Sequence, residues 1–211
     1  MENSVAYQTA SKLLEIKAIT LNAKTPFVWA SGIKAPIYTD NRLTIAYPNF
    51  RRQIAKNLAE LIKNNYPDVE VIGGVATAGI PHASGVANIL NLPLNYVRSK
   101  PKDHGKNSQI EGRCKVGDKV VLIDDLISTG GSILKAAKAV REAGAEVIGT
   151  VAIFSYNLPE SKTNFDNVHT KLVTLTNYPT MIDVANEKDY VKEEDMELLK
   201  KWYQDPEGWC K

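Results

Sequence analysis

One junction constrains the fold of this chain more than any other stretch: Val120-Val121-Leu122-Ile123-Asp124-Asp125-Leu126-Ile127-Ser128-Thr129-Gly130-Gly131-Ser132. Branched apolar residues at 120–123 read as a buried strand, and two adjacent carboxylates follow where that strand ends. Hydroxyls and glycines then open a helix. A buried strand feeding directly into a helix belongs to an α/β architecture. The junction also carries chemistry. Hydroxyls, permissive glycines and a helix N-terminus build a phosphate cradle from backbone N–H groups and the positive end of the helix dipole. The acid pair would repel a phosphate unless it holds something neutral or cationic, such as a sugar diol or a metal ion. A phosphate site joined to a diol site describes a ribose 5-phosphate pocket.

The rest of the chain supplies the context that such a junction needs. Ala6–Ile16 has the periodicity of a short helix. Phe27-Val28-Trp29 and Ile37-Tyr38-Thr39 read as short strands around a Ser31-Gly32 turn. Pro48 opens a helix whose stripe of Phe50, Ile54, Leu58 and Leu61 runs to Tyr66-Pro67-Asp68. Strand and helix then alternate. Val69–Val75, Leu94–Val97, Val120–Ile123, Val147–Phe154 and Leu172–Leu175 read as strands. Pro81–Leu92 and Ser132–Ala143 read as helices, the second with Gly144 as its C′ residue. This alternation predicts a parallel sheet with helices on both faces, and ligands bound beyond the carboxyl ends of its strands. Glu193–Tyr203 reads as a terminal amphipathic helix outside the alternation. Residues at about 190–211, which include it, are expected to form a small cap with residues 1–45, over an α/β core at about 46–180, all within one domain.

Composition narrows the function. A formal charge of +2 on 211 residues is too balanced for a general nucleic-acid binder. Cys114 and Cys210 are far apart and show neither disulfide-framework nor zinc-site spacing. There is no signal-type N-terminus and no apolar run of membrane-spanning length, so a cytoplasmic protein is expected.

Two further segments could serve the pocket. Gly73-Gly74-Val75-Ala76-Thr77-Ala78-Gly79-Ile80-Pro81 places small residues between a strand and a helix, where backbone amides can approach a ligand closely. It has the glycine spacing of a P-loop but Ile80 in place of the lysine, so it reads as a second anion seat, for a diphosphate. Ser99–Gly112 has no apolar periodicity and holds Lys100, Lys102, His104 and Lys106, with Gly105 and Gly112 placed as hinges. Such a loop reads as a cationic lid. Positioned cations would stabilise a departing diphosphate, and closure would keep water from an oxocarbenium-like sugar centre. His82, His169, Trp202 and Trp209 are read as packing or surface residues.

The 120–132 junction resembles the phosphoribosyl diphosphate (PRPP) signature of the type I phosphoribosyltransferases. Arg98-Ser99-Lys100-Pro101-Lys102-Asp103-His104-Gly105 is similar to the catalytic loop of the orotate-specific branch of that family. Ser31–Asp40 resembles the region covering orotate there. The resemblance implies a parallel-sheet type I phosphoribosyltransferase core with a small cap. It also implies a Mg²⁺-dependent homodimer that makes orotidine 5′-monophosphate and diphosphate from orotate and PRPP, in pyrimidine biosynthesis. Carried over by position, Asp124 and Asp125 would bind the ribose hydroxyls, and Leu126, Ile127, Ser128, Thr129, Gly130, Gly131 and Ser132 would wrap the 5′-phosphate. Thr77 and Ala78 would also face PRPP. Arg98, Lys102 and His104 would reach the diphosphate in the neighbouring subunit's site, with Lys102 and His104 catalytic. Ser128, Lys34 and Tyr38 would contact orotate. Mg²⁺ would be held mainly by PRPP and water, near Asp124 and Asp125. Ala30, Ala78 and Ser99 stand where another branch of the family has lysines, and Ser155 or Tyr156 falls near its orotate-contacting arginine. A purine-base phosphoribosyltransferase and a PRPP-sensing regulator share the sugar-phosphate motif, but the regulator has no need of a Lys/His lid.

Overall fold

The computed structural model describes residues 4–29, 32, 34–100, 109–206 and 208–209. The chain divides into two compact units, Met1–Thr44 with Thr176–Lys211, and Ile45–Leu175.

The first unit draws on both ends of the chain. Helix α1 (Val5–Glu15) opens on Ser4, whose side chain accepts from the Tyr7 N–H. Four short strands follow: β1 (Ile19–Leu21), β2 (Phe27–Val28), β3 (Lys34–Ala35) and β4 (Ile37–Thr39). β1 pairs with β4 and β2 with β3, each antiparallel. Two helices come from the other end, α6 (Tyr178–Glu187) and α7 (Glu193–Gln204). Trp202 of α7 is fully buried. Its ring meets Trp29 edge-on, and its indole N–H donates to the Lys34 carbonyl at 3.2 Å. The Tyr178 hydroxyl donates to the Leu199 carbonyl at 3.1 Å, joining α6 to α7. The packing role expected of Trp202 is what the structure has.

The second unit is the α/β core. After a 3₁₀ turn at Asn41–Ala46 and helix α2 (Pro48–Asn65) come strand β5 (Val71–Val75), helix α3 (Gly79–Leu90) and strand β6 (Leu94–Val97). They are followed by β7 (Ile110–Gly112), β8 (Lys119–Ile127), α4 (Gly131–Glu142), β9 (Glu146–Ser155), α5 (Pro159–Asn167) and β10 (Leu172–Asn177). The sheet order is β10-β9-β8-β5-β6-β7. β5–β6, β5–β8 and β8–β9 are parallel, as the alternation predicts, while β6–β7 is antiparallel. Val71, Val120, Leu122 and Ala152 face one core with Ile133, Ala137 and Val140 of α4. The next residues along each strand turn to the opposite face, where a Cβ on Gly74 would meet Ala83 of α3.

Three expectations are corrected. Strand β8 does not end at Ile123. It continues through both aspartates to Ile127, because β9 goes on pairing with it (Asp124↔Ala152, Ile127↔Ser155) after β5 has stopped at Gly74↔Ile123. Residues 99–112 are not structureless throughout, since Ile110–Gly112 pairs with β6. Gly112 is therefore no hinge: it lies opposite Asn95 with φ +93, and a Cβ there would overlap the Leu94 carbonyl oxygen. Helices α5 and α6 were not read from the sequence. Gly144, by contrast, takes the left-handed C′ conformation expected of it, with φ +89.

Candidate active site at the switch point of the sheet

Strands β5 and β8 lie side by side, but their crossovers leave in opposite directions. The chain runs from β5 through α3 to β6 on one side, and from β8 through α4 to β9 on the other. The crevice between their carboxyl ends is thus a topological switch point, where open α/β sheets bind ligands. Two strand-to-helix turns border it, residues 76–78 and 128–130.

The second turn forms the cradle that the sequence suggests. Residues 124 and 126–133 line a cavity of ≈ 120 Å³. Gly130 is the N-cap residue of α4, with φ +86 and ψ 2, a left-handed conformation that glycine adopts without strain. No side chain caps the helix. The N–H groups of its first turn therefore have no intrahelical acceptor and carry the positive end of the dipole. No residue from 126 to 132 is cationic, so this cradle would bind an anion through N–H groups, hydroxyls and the dipole alone.

Asp124 lines the same cavity and is only 7% exposed. Burial, and then the charge of the neighbouring Asp125, push its carboxyl well above the usual carboxylate range. The Asp125 N–H, donating to Asp124 Oδ1 at 2.9 Å, offsets only part of this. An acid so placed gains most from partners that bring hydroxyl donors or positive charge, which is what a ribose diol or a divalent cation offers. Among the described residues no cluster of three or more His, Cys, Asp or Glu side chains could enclose a metal by itself. The acid pair fits Mg²⁺ as a neighbour, with ligand oxygens and water completing its shell.

The first turn is brought in by close packing. A Cβ on Gly79 would overlap the Ile123 carbonyl oxygen and lie 3.2 Å from Asp124 Cα, so the start of α3 rests directly on β8 at Ile123 and Asp124. Thr77 is exposed beside it and Ala78 half-buried. The Ala76–Thr77 peptide is cis.

The remaining predicted residues are placed as follows. Arg98 follows β6. Its N–H donates to the Gln109 carbonyl at 2.9 Å, and the Gln109 side chain donates back to the Arg98 carbonyl at 2.7 Å, so the two ends of the lid segment are tied together. Lys102, His104 and Gly105 lie outside the described residues, as do Ala30 and Ser31. Lys34 is exposed on β3, and Tyr38 is half-exposed on β4 with its ring against Phe27. Tyr156 is buried against Phe154 and Ser155 accepts from the Asn157 N–H, so both are taken up in structure. His82 is buried in α3, its pKa pushed down to about 4 by burial and the Arg51 charge, which leaves it neutral at pH 7. His169 is exposed. Sequence reasoning missed Asn164, which donates to the Thr129 carbonyl at 3.0 Å, and Phe165, which packs beneath Gly130. Pro159 followed by Glu160, a helix-start pairing, was the available signal for their helix.

Comparison with known proteins agrees with this geometry. The family described as the phosphoribosyl transferase domain matches residues 44–185. An orotate phosphoribosyltransferase of Enterococcus faecalis is 56% identical over 207 residues, 98% of this chain and 99% of its own. One from Listeria innocua is 58% identical over 208 residues, 99% and 100% of the two chains. The chain belongs to the orotate phosphoribosyltransferase family. Membership reaches beyond the α/β core, because these alignments also take in the four short strands and α7. The crystal structure of orotate phosphoribosyltransferase from Aeropyrum pernix superposes with a TM-score of 0.74 at 26% identity, covering 87% of this chain and 99% of that one. The type I phosphoribosyltransferase fold expected from the 120–132 junction is the fold of the family.

Proposed function

We propose that this enzyme, a pentosyltransferase, transfers the ribose 5-phosphate group of PRPP to orotate, giving orotidine 5′-monophosphate and diphosphate in pyrimidine biosynthesis. The observation that carries the reading is the uncapped α4 N-terminus with its ≈ 120 Å³ cavity beside an acid pair of which Asp124 is buried. Residues 126–132 receive the 5′-phosphate through backbone N–H groups. Asp124 and Asp125 accept from the ribose hydroxyls, and this fixes C1 of the sugar at the mouth of the cradle. The turn at Thr77 and Ala78 faces the diphosphate. A ring nitrogen of orotate forms the new bond to C1 and loses its proton to solvent as the C1–O bond to diphosphate breaks, and the electron pair of that bond leaves with the diphosphate.

Lys102 and His104, with Arg98 at the base of their loop, would meet the negative charge growing on the leaving group, so their effect is larger in the transition state than in the ground state. Mg²⁺, when bound, neutralises diphosphate charge; Asp124 and Asp125 are the residues near it. Ser128 lies at the orotate end of the cradle. Lys34 and Tyr38 offer the cation and the aromatic phenol that a carboxylate-bearing ring would use. The enzyme works as a cytoplasmic homodimer with the loop shared across subunits; among the described residues no helix is long and apolar enough to cross a membrane.

The test is loss of orotate absorbance with PRPP and Mg²⁺. Consumption of adenine or guanine in its place would sink the assignment of the base. Lys102→Ala should lower turnover about a hundredfold while weakening PRPP binding far less. Equal losses would reduce Lys102 to a binding residue.

A further inference from the structure

A backbone anion site works only if its peptide planes are held with N–H groups inward and carbonyls outward. In a trans peptide the carbonyl and the next N–H point in opposite directions, so holding one end of the plane sets the other. The Thr129–Gly130 peptide lies at the centre of the cradle, and its second residue is a glycine with φ +86. Glycine populates φ of either sign about equally, so the local sequence does not lock this plane. Flipped, it would aim a carbonyl oxygen at the phosphate.

Helix α5 supplies the lock. The Asn164 side-chain amide, which does not line the cavity, donates to the Thr129 carbonyl at 3.0 Å. One residue along, the Phe165 ring lies so close beneath Gly130 that a Cβ there would come within 2.6 Å of its Cε2. Phe165 is itself buried in the core with Ile127 and Ile133, so the surface behind the loop is fixed by packing. The hydrogen bond orients the plane and the ring supports it.

We propose that Asn164 is a positioning residue for the 5′-phosphate site. Its bond to the Thr129 carbonyl turns the Gly130 N–H toward the ligand, and α5 thereby sets PRPP affinity without touching PRPP. This rests on the reading of residues 126–132 as the phosphate cradle.

The experiment compares wild type with Asn164→Asp, which keeps the size but presents an acceptor to a carbonyl, and with Asn164→His, whose ring N–H can donate from the same position. Direct binding of ribose 5-phosphate and of inorganic diphosphate is measured with the kinetics and Tm. A hydrogen bond to a charged group contributes about 1.5–3 kcal/mol, or about ten- to a hundredfold in affinity. Asn164→Asp should therefore weaken ribose 5-phosphate and raise KM for PRPP by about that factor, leaving diphosphate affinity and KM for orotate unchanged and kcat within about threefold. Asn164→His should recover most of the loss. Unchanged ribose 5-phosphate affinity in Asn164→Asp would overturn the proposal. So would a parallel fall of both affinities and Tm, which would make the contact merely structural. If wild type fails to bind ribose 5-phosphate, the cradle reading itself fails, and this inference with it.

Discussion

Two strand-to-helix junctions border the same crevice, and they are built on different plans. The junction from β8 to α4 is defined by what it presents: hydroxyls, N–H groups of an uncapped helix and a buried acid. The junction from β5 to α3 is defined by what it lacks. Its glycine at 79 lets α3 rest on the Ile123 carbonyl, and Gly74 lets the helix approach β5, with Ile80 Cα 3.0 Å from where a Cβ would stand. Donors make the first a site. Closeness puts the second beside it, and under the proposed function this is how a turn with no charged residue serves a diphosphate.

The comparison breaks most readily at Gly79. Gly79→Ala would drive a methyl into the backbone of β8, costing about 2–3 kcal/mol and lowering Tm by about 5–10 °C. Turnover of orotate should fall more than about a hundredfold, because Asp124 moves with that backbone. A variant that keeps its activity would show that closeness does not define this junction.

Asp124→Asn tests the other plan with the smaller loss, about thirtyfold in kcat/KM for PRPP, and should make the free protein more stable. The sign follows from the raised carboxyl. The folded state holds a proton that the unfolded chain releases near pH ~4, so wild-type stability falls as pH rises through that window and stays low above the folded pKa. Asparagine carries no such charge. Thermal unfolding of the two proteins should coincide near pH 4 and diverge in favour of the variant toward pH 8. Equal curves throughout would mean that the burial of Asp124 costs nothing.

Gly130→Ala has the smallest expected effect. The positive φ and the Phe165 ring together cost about 1–3 kcal/mol, and KM for PRPP should rise about fivefold with KM for orotate unmoved. A change confined to orotate would assign this turn to the base.

How much of this could be read in the sequence differs between the two junctions for the same reason. Donors are residue types, so the cradle at 126–132 was legible as written. The extent of β8 was not, because Asp124 and Asp125 look like a strand end unless the partner that continues beside them, β9, is known. Gly79 signalled a tight turn but not its neighbour across the sheet. Strand β7 is three residues at a sheet edge, too short for a period, so its residues were read as loop although β6 beside it was read as a strand. In α5 only Phe165 gives the nine residues 159–167 an apolar anchor of any size, so no stripe marks a helix that lies behind the phosphate loop. That two adjacent carboxylates precede the glycine turn was legible in the sequence. That Asp124 would be nearly buried was not, since burial comes from elements far away in sequence.

The bond from Trp202 to the Lys34 carbonyl joins residues 168 apart in the chain. Proteins are synthesised from the N-terminus and domains fold largely as units as they emerge. The α/β core, residues 45–175, is continuous and can fold as soon as it is made. Strand β3 is made before the core, and the indole that bonds its Lys34 carbonyl is made after it. This contact of the first unit can therefore form only after the whole core has been synthesised.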